Sequence, residues 1–251
     1  MESLKLKGLA ITLLTAMIAV GASAQEATMT MREKNIYQER SGLTLIPVAN
    51  IGVSETSQSV NPDPNNPYAP ISKNNRTVYS GGMLVELGQG TFSLQTGLLY
   101  LQEGYGAFGK QYMGSGQYTT IEIDGRVDYV GIPLIGKLNM ETDLGGRATL
   151  KAGMIPVYAV GYDFTVETAF TNPAGQRQAY SRDYQGRDGL RDVNVIGQVA
   201  AGYEIPFGSR FDLRLETSFN HSLMTVDSKG GGGKESFTSS LLMSLGMGID
   251  I

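Results

Sequence analysis

Between Arg210 and His221 the chain alternates Phe211, Leu213, Leu215, Thr217 and Phe219 with Asp212, Arg214, Glu216, Ser218 and Asn220. A two-residue period of this kind puts one apolar and one polar face on a single strand. From Leu43 onward the same period predicts eight strands, at roughly 43–54, 77–88, 91–104, 119–139, 147–168, 190–205, 209–224 and 237–251. On the third, Phe92, Leu94, Leu98 and Tyr100 oppose Ser93, Gln95 and Gly97. On the fifth, Leu150, Ala152, Met154, Pro156 and Tyr158 oppose Thr149, Lys151 and Gly153. On the eighth, Leu241, Met243, Leu245, Met247 and Ile249 oppose Ser240, Ser244, Gly246 and Gly248. Each segment reaches the ~9–11 residues that a tilted strand needs to cross a bilayer.

The connections fall into two alternating classes. Gly88-Gln89-Gly90, Glu141 to Gly146 and Pro206 to Ser209 are short, whereas Ser54 to Arg76, with its Asn-Pro-Asp-Pro-Asn-Asn-Pro run, and Thr171 to Gly189 are long and polar. This predicts an all-β fold: an eight-stranded antiparallel up-and-down transmembrane β-barrel with short periplasmic turns and long extracellular loops. The polar faces then line the lumen, where Glu86, Lys137, Lys151, Asp212, Arg214 and Glu216 supply three acids and three bases that can neutralise one another. Turned to lipid at the midplane, an Arg or Lys would cost about 2–4 kcal/mol. A soluble periplasmic β-barrel or sandwich is the alternative, with the same faces turned to water.

Composition narrows the choice. Lys5 and Lys7, the apolar run Leu9 to Val20 and the small residues before Gln25 read as a signal peptide over 1–24. Residues 25–41 show no alternation and are expected to form a periplasmic N-terminal segment, leaving 42–251 for the barrel. No later stretch has the 18 or so continuous apolar residues of a membrane helix. The formal charge of −4 gives no reason to expect nucleic acid. With no cysteine and one histidine, neither disulfides nor transition-metal sites have their usual ligands, and no cofactor is expected. The 33 glycines and 13 tyrosines suit a β chain with many turns.

Val127-Asp128-Tyr129-Val130-Gly131-Ile132-Pro133-Leu134-Ile135-Gly136-Lys137, preceded by Ser93-Leu94-Gln95-Thr96-Gly97-Leu98-Leu99-Tyr100-Leu101-Gln102-Glu103-Gly104, resembles the PorT-like family of small outer-membrane β-barrels. Asp192, Gly197, Gly202 and the closing Leu-Met-Ser-Leu-Gly-Met-Gly-Ile are similar in type. The resemblance covers about residues 43–251 and implies a fold and a location, the bacterial outer membrane, more than an activity.

Candidate chemistry is sparse. His221 stands beside Ser222, a pair that invites comparison with outer-membrane lipid A hydrolases, but neighbours on a strand point to opposite faces. Gly230 to Gly233 lacks the Gly-Lys-Ser/Thr ending of a phosphate loop and reads as a hairpin loop. Arg177, Arg182, Arg187 and Arg191, interleaved with Asp183, Asp188 and Asp192, are candidates for lipopolysaccharide phosphates or for local ion pairs. Tyr100, Tyr158, Tyr162 and Phe219 fall near strand ends, where rings favour the headgroup boundary. Small and adaptable residues on the presumed lipid face, such as Ala148, Ala152, Met154, Met243 and Met247, leave room for a homo-oligomer. The expected partners are therefore membrane lipid, lipopolysaccharide and other copies of the chain. The expected role is non-enzymatic: a structural, lipid-organising or partner-binding surface barrel with a side-chain-filled lumen. A narrow pore and a lipid A-modifying hydrolase are the alternatives.

Overall fold

The computed structural model describes residues 42–58, 70–72, 75–88, 90–114, 116–143, 145–184, 191–207, 209–225 and 236–251. The expected leader and N-terminal segment, Arg187 and the Gly230–Gly233 run lie outside the described residues. Eight strands make the wall: β1 (Leu43–Gln58), β2 (Arg76–Leu87), β3 (Phe92–Gly114), β4 in two segments (Gln117–Gly131 and Leu134–Glu141), β5 (Arg147–Thr171), β6 (Val193–Phe207), β7 (Phe211–Ser222) and β8 (Ser236–Asp250). Each pairs antiparallel with the strands before and after it, and β1 pairs with β8, so the ladders close into a ring. Two accessory strands attach outside the ring's own order, Pro70–Ser72 on β3 and Arg177–Tyr184 on β5.

β4 is interrupted at Ile132-Pro133 because proline has no N–H to give the ladder. The Ile132 N–H still donates to Pro156 O at 3.0 Å, so the wall stays continuous on the β5 side. Closure of the ring removes the sheet edges that an open sheet would leave unpaired.

All eight expected segments overlap their strands, seven of them with modest shifts at the ends, whereas the third, expected to end at 104, continues to Gly114. β3 has 23 residues and β5 has 25, far beyond the ~9–11 of a single crossing. The expected long loop after strand three is instead a continuation of β3 and β4 to a tight turn near Gly116. Glycines at 104, 106, 109 and 114 hide the alternation there, while Tyr118-Thr119-Thr120-Ile121 supplies β propensity on the facing strand. The loop expected from Thr171 to Gly189 contains the strand Arg177–Tyr184, which carries two of the candidate arginines.

The interior is layered. Near the short turns it is polar; further up, Ile46, Leu84, Leu99, Leu101, Val127, Tyr129, Ile155, Val157, Ala159 and Ile196 pack as an apolar core. A uniformly polar lumen is therefore not what the chain builds. Between Tyr129↔Ala159 and Asp128↔Gly161 the register shifts by one residue, a bulge that turns Tyr162 and Phe164 onto this core. Tyr162 consequently packs inward, and the sequence expectation of a headgroup-level ring fails for it.

Above the core, β3 leans across the ring. Gly104 O accepts hydrogen bonds from Ser54 Oγ at 3.4 Å and Thr56 Oγ1 at 3.1 Å, and Glu103 accepts one from Thr238 Oγ1. These partners belong to β1 and β8, neither of which is a ladder neighbour of β3. A Cβ on Gly104 would lie 2.6 Å from Arg76 Cβ, so glycine lets β3 pass this close to the start of β2. Arg76 pairs with Asp124 on the same ribbon. At Gly125 the Phe164 ring occupies the place a side chain would take.

Gly125→Ala is expected to displace Phe164 and lower stability by about 1–3 kcal/mol. Gly90→Ala, where an added Cβ meets nothing within 4 Å, is expected to stay within about 0.5 kcal/mol. Urea unfolding of the micelle-bound protein measures both.

Candidate functional site

The polar layer is built by inward positions of six strands. Because side chains alternate across a strand, Glu86 of β2, Lys137 of β4, Lys151 of β5, and Asp212, Arg214 and Glu216 of β7 project inside, while Leu87, Leu138, Leu150, Leu213 and Leu215 face outward and are exposed. Lys137 has 0% of its surface exposed. Its ammonium lies 2.8 and 2.9 Å from the two oxygens of Glu86 and 2.5 Å from Glu204 Oε1. Arg214 pairs with the same Glu86, approaches Glu204 at 3.2 Å and donates from Nε to Asp212 Oδ1 at 2.5 Å. Glu86 also accepts from Ser93 Oγ at 2.9 Å and Gln95 Nε2 at 2.8 Å. Lys151 and Glu216 form a separate pair one step further around the wall.

Four of the six expected lumen residues thus share one network and the other two pair with each other. Sequence reasoning passed over Glu204, which bridges Lys137 and Arg214, and Arg147, a buried inward residue opposite Glu204 in register. Both could have been found by carrying the alternation to the end of β6 and the start of β5: Glu204 continues Asn194, Gln198 and Gly202, and Arg147 precedes Thr149 and Lys151. With them the layer holds four acids, Glu86, Glu204, Asp212 and Glu216, against four bases, Lys137, Lys151, Arg147 and Arg214. Burying any one alone would be costly, and mutual pairing with added hydrogen bonds offsets that cost.

A cavity of about 40 Å³ lies directly above, lined by Asn50, Gln95, Lys151, Gln198, Arg214 and Glu216 among others. Among the described residues Gln95 Oε1 is buried without a hydrogen-bond partner, and a space of this size accommodates a water or two. Among the described residues no group of three His, Asp or Glu could hold a metal ion.

His221 and Ser222 do point to opposite faces. Ser222 is buried inside, accepting from Asn194 Nδ2 at 2.7 Å and donating to Met224 O at 2.6 Å. His221 faces outward, its Nδ1 2.9 Å from Ser239 Oγ on β8 and its ring stacked on Phe237 at 6.0 Å. This cross-strand contact escaped sequence reasoning because β7 to β8 register is invisible in one strand. Among the described residues no carboxylate hydrogen-bonds His221, so the contact lacks the third group that orients a catalytic base.

The described arginines do not converge. Arg177 is paired with Glu167 at 2.6 Å, and Arg182 lies on the opposite face of the same accessory strand. Arg191 contributes a main-chain oxygen that accepts from Tyr162 OH at 3.3 Å.

Outside, Tyr100, Val130, Tyr158 and Val193 are register neighbours around the wall. Phe207, Phe211 and Ile249 are neighbours at the short-turn end. Between these rows the outward positions carry Leu94, Leu98, Leu134, Met154, Leu213 and Met243, all exposed.

Lys137→Met is expected to leave Glu86 and Glu204 buried with one counter-charge fewer, lowering stability by about 3–5 kcal/mol. Adding Glu204→Gln should recover part of that loss, and urea unfolding of both variants reads the coupling.

The sequence matches the family model described as outer membrane protein beta-barrel domain over residues 37–228. Among solved structures, the chain is similar to neisserial surface protein A, at 11% identity and a TM-score of 0.42, covering 84% of this chain and 98% of that one. It is similar to Ail, the attachment invasion locus protein of Yersinia pestis, at 9% identity and a TM-score of 0.34, covering 83% and 99%. The outer membrane protease OmpT from Escherichia coli follows at 8% identity and a TM-score of 0.35, covering 85% and 98%. At such identities and scores none of these likenesses assigns an activity. No curated protein matches the chain in sequence.

Proposed function

Because the chain belongs to the outer membrane β-barrel domain family, a family of the bacterial outer membrane, we propose that it is a non-conducting, non-enzymatic surface barrel that organises lipid and presents its projecting strands to partners. The ring of eight strands spans the bilayer with its short turns in the periplasm and its long ends outside, as the PorT-like resemblance implies. The outward apolar band supports this placement, with Tyr79, Tyr100 and Tyr158 at one boundary and Phe92, Phe207 and Phe211 at the other.

The carrying observation is the paired layer around Lys137. An eight-stranded barrel is just wide enough for side chains to fill it, and here ion pairs fill the lower half while the apolar core and the crossing β3 ribbon fill the upper. A pore would need both fillings removed. The hydrolase alternative has the His221 to Ser239 contact and, among the described residues, no acid to orient it.

Purified full-length protein in planar bilayers is expected to give no steady conductance steps, and large stable steps would replace this reading with a pore. Lipopolysaccharide is the expected lipid partner, and Arg177, Arg182, Arg187 and Arg191 are its candidate contacts, acting as separate points rather than one site since Arg177 and Arg182 lie on opposite faces. Changing all four to alanine should weaken lipopolysaccharide binding in a co-sedimentation assay, and unchanged binding would remove them from that role.

A further inference from the structure

The strand Arg177–Tyr184 pairs along one side with β5, from Thr171 back to Phe164, and among the described residues it has no second ladder. Alternate N–H and C=O groups on its other side therefore point away from the sheet. Every residue from Arg177 to Asp183 is exposed, and Tyr180 reaches 71%. Among the described residues nothing pairs with or covers this edge. Natural edges are usually blunted by proline, by shortness or by charges that repel a second strand. This one has eight residues, no proline, and charges of both signs near its two ends, Arg177 and Asp183.

That arrangement is self-complementary. When an edge pairs antiparallel with a second copy of itself, the two-fold axis stands perpendicular to the sheet and keeps each side chain on its own face. Only registers that oppose residues of equal parity are then allowed. Of these, the register centred on Tyr180 opposes Arg177 with Asp183 twice, Gln178 with Arg182 twice, and Ala179 with Ser181 twice. Shifting the centre to Ala179 or Ser181 loses both Arg177 to Asp183 pairs. Arg177 is already held by Glu167 at 2.6 Å, and Asp183 accepts from Thr165 Oγ1 at 2.9 Å, so both ends of the strand are ordered before any second copy arrives.

We propose that Arg177–Tyr184 is a homotypic docking edge, joining two copies of this protein by antiparallel strand addition centred on Tyr180. The occupant is a second copy because the charge order reads correctly against its own reversal. The proposal rests on the surface-barrel reading only in placing the strand outside the membrane. Cross-linking reports the edge and conductance reports the lumen, so either can fail without the other.

Single-cysteine variants of the full-length protein in outer-membrane vesicles test it. Across the axis the two copies of residue 180 stand about 4.5–5.5 Å apart between Cα atoms, within disulfide reach. Tyr180→Cys should give a disulfide dimer under mild oxidation. Two copies of residue 179 stand about 8 Å apart at strand spacing, so Ala179→Cys alone should not. Mixed vesicles carrying Ala179→Cys and Ser181→Cys should cross-link between the two variants. In a non-covalent arm, Arg177→Asp should lower the dimer fraction about tenfold, since two attractive pairs become repulsive. Adding Asp183→Arg should restore it. Equal cross-linking at 179 and 180, no dimer at 180, or an Arg177→Asp defect that the swap fails to repair would each overturn the proposal. Cross-linking of Tyr180→Cys to a different protein in place of a second copy would overturn it as well.

Discussion

Lys137, enclosed by Glu86 and Glu204, is the contact on which the rest of the structure turns. A strand of alternating faces in a closed ring must send one face to the surroundings and the other to the axis. Apolar surroundings force the ionic face to the axis, where an unpaired charge is intolerable. Every strand contributing to that layer is therefore fixed in register, because a slip of one residue would expel its charge and import a leucine. Asp212, Arg214 and Glu216 alternating with Leu213 and Leu215 show how little freedom is left.

The upper half of the cylinder obeys a different balance. There the inward residues are Leu99, Leu101, Val127, Tyr129, Ile155 and Val157, and burial of apolar surface against apolar surface replaces ion pairing. The crossing of β3 over this core makes it a closed interior, with Glu103, Thr238, Ser54 and Thr56 joined by hydrogen bonds above it. Two fillings of unlike chemistry occupy one narrow tube, so loss of either alone leaves it obstructed.

Most of the wall was legible in the sequence because one face per strand is apolar and the other is not, and that contrast is strongest on β3, β5, β7 and β8. It fades where both faces are apolar or small. Between Val127 and Ile132 both faces carry apolar residues, Val127 and Tyr129 on one and Val130 and Ile132 on the other, so alternation alone does not sort inner from outer there and the core around Tyr129 is not legible. The bulge at Val160 reverses the parity of everything after it, which is why Tyr162 was placed at the surface. Glu204 and Arg147 obey the alternation and sit at strand ends, where boundaries are least certain. The contact of His221 with Ser239 depends on register between two strands, a quantity that no single strand encodes.

The ring's seam joins its first and last strands, with Thr44 opposite Asp250 and Gln58 opposite Ser236. Contacts of such sequence separation are the slowest to form. Until the C-terminal strand has been delivered, β1 presents a long bare edge that invites mispairing. Closure of the ring therefore waits on its last strand, and until that strand arrives the outer edge of β1 has to be shielded from foreign pairing.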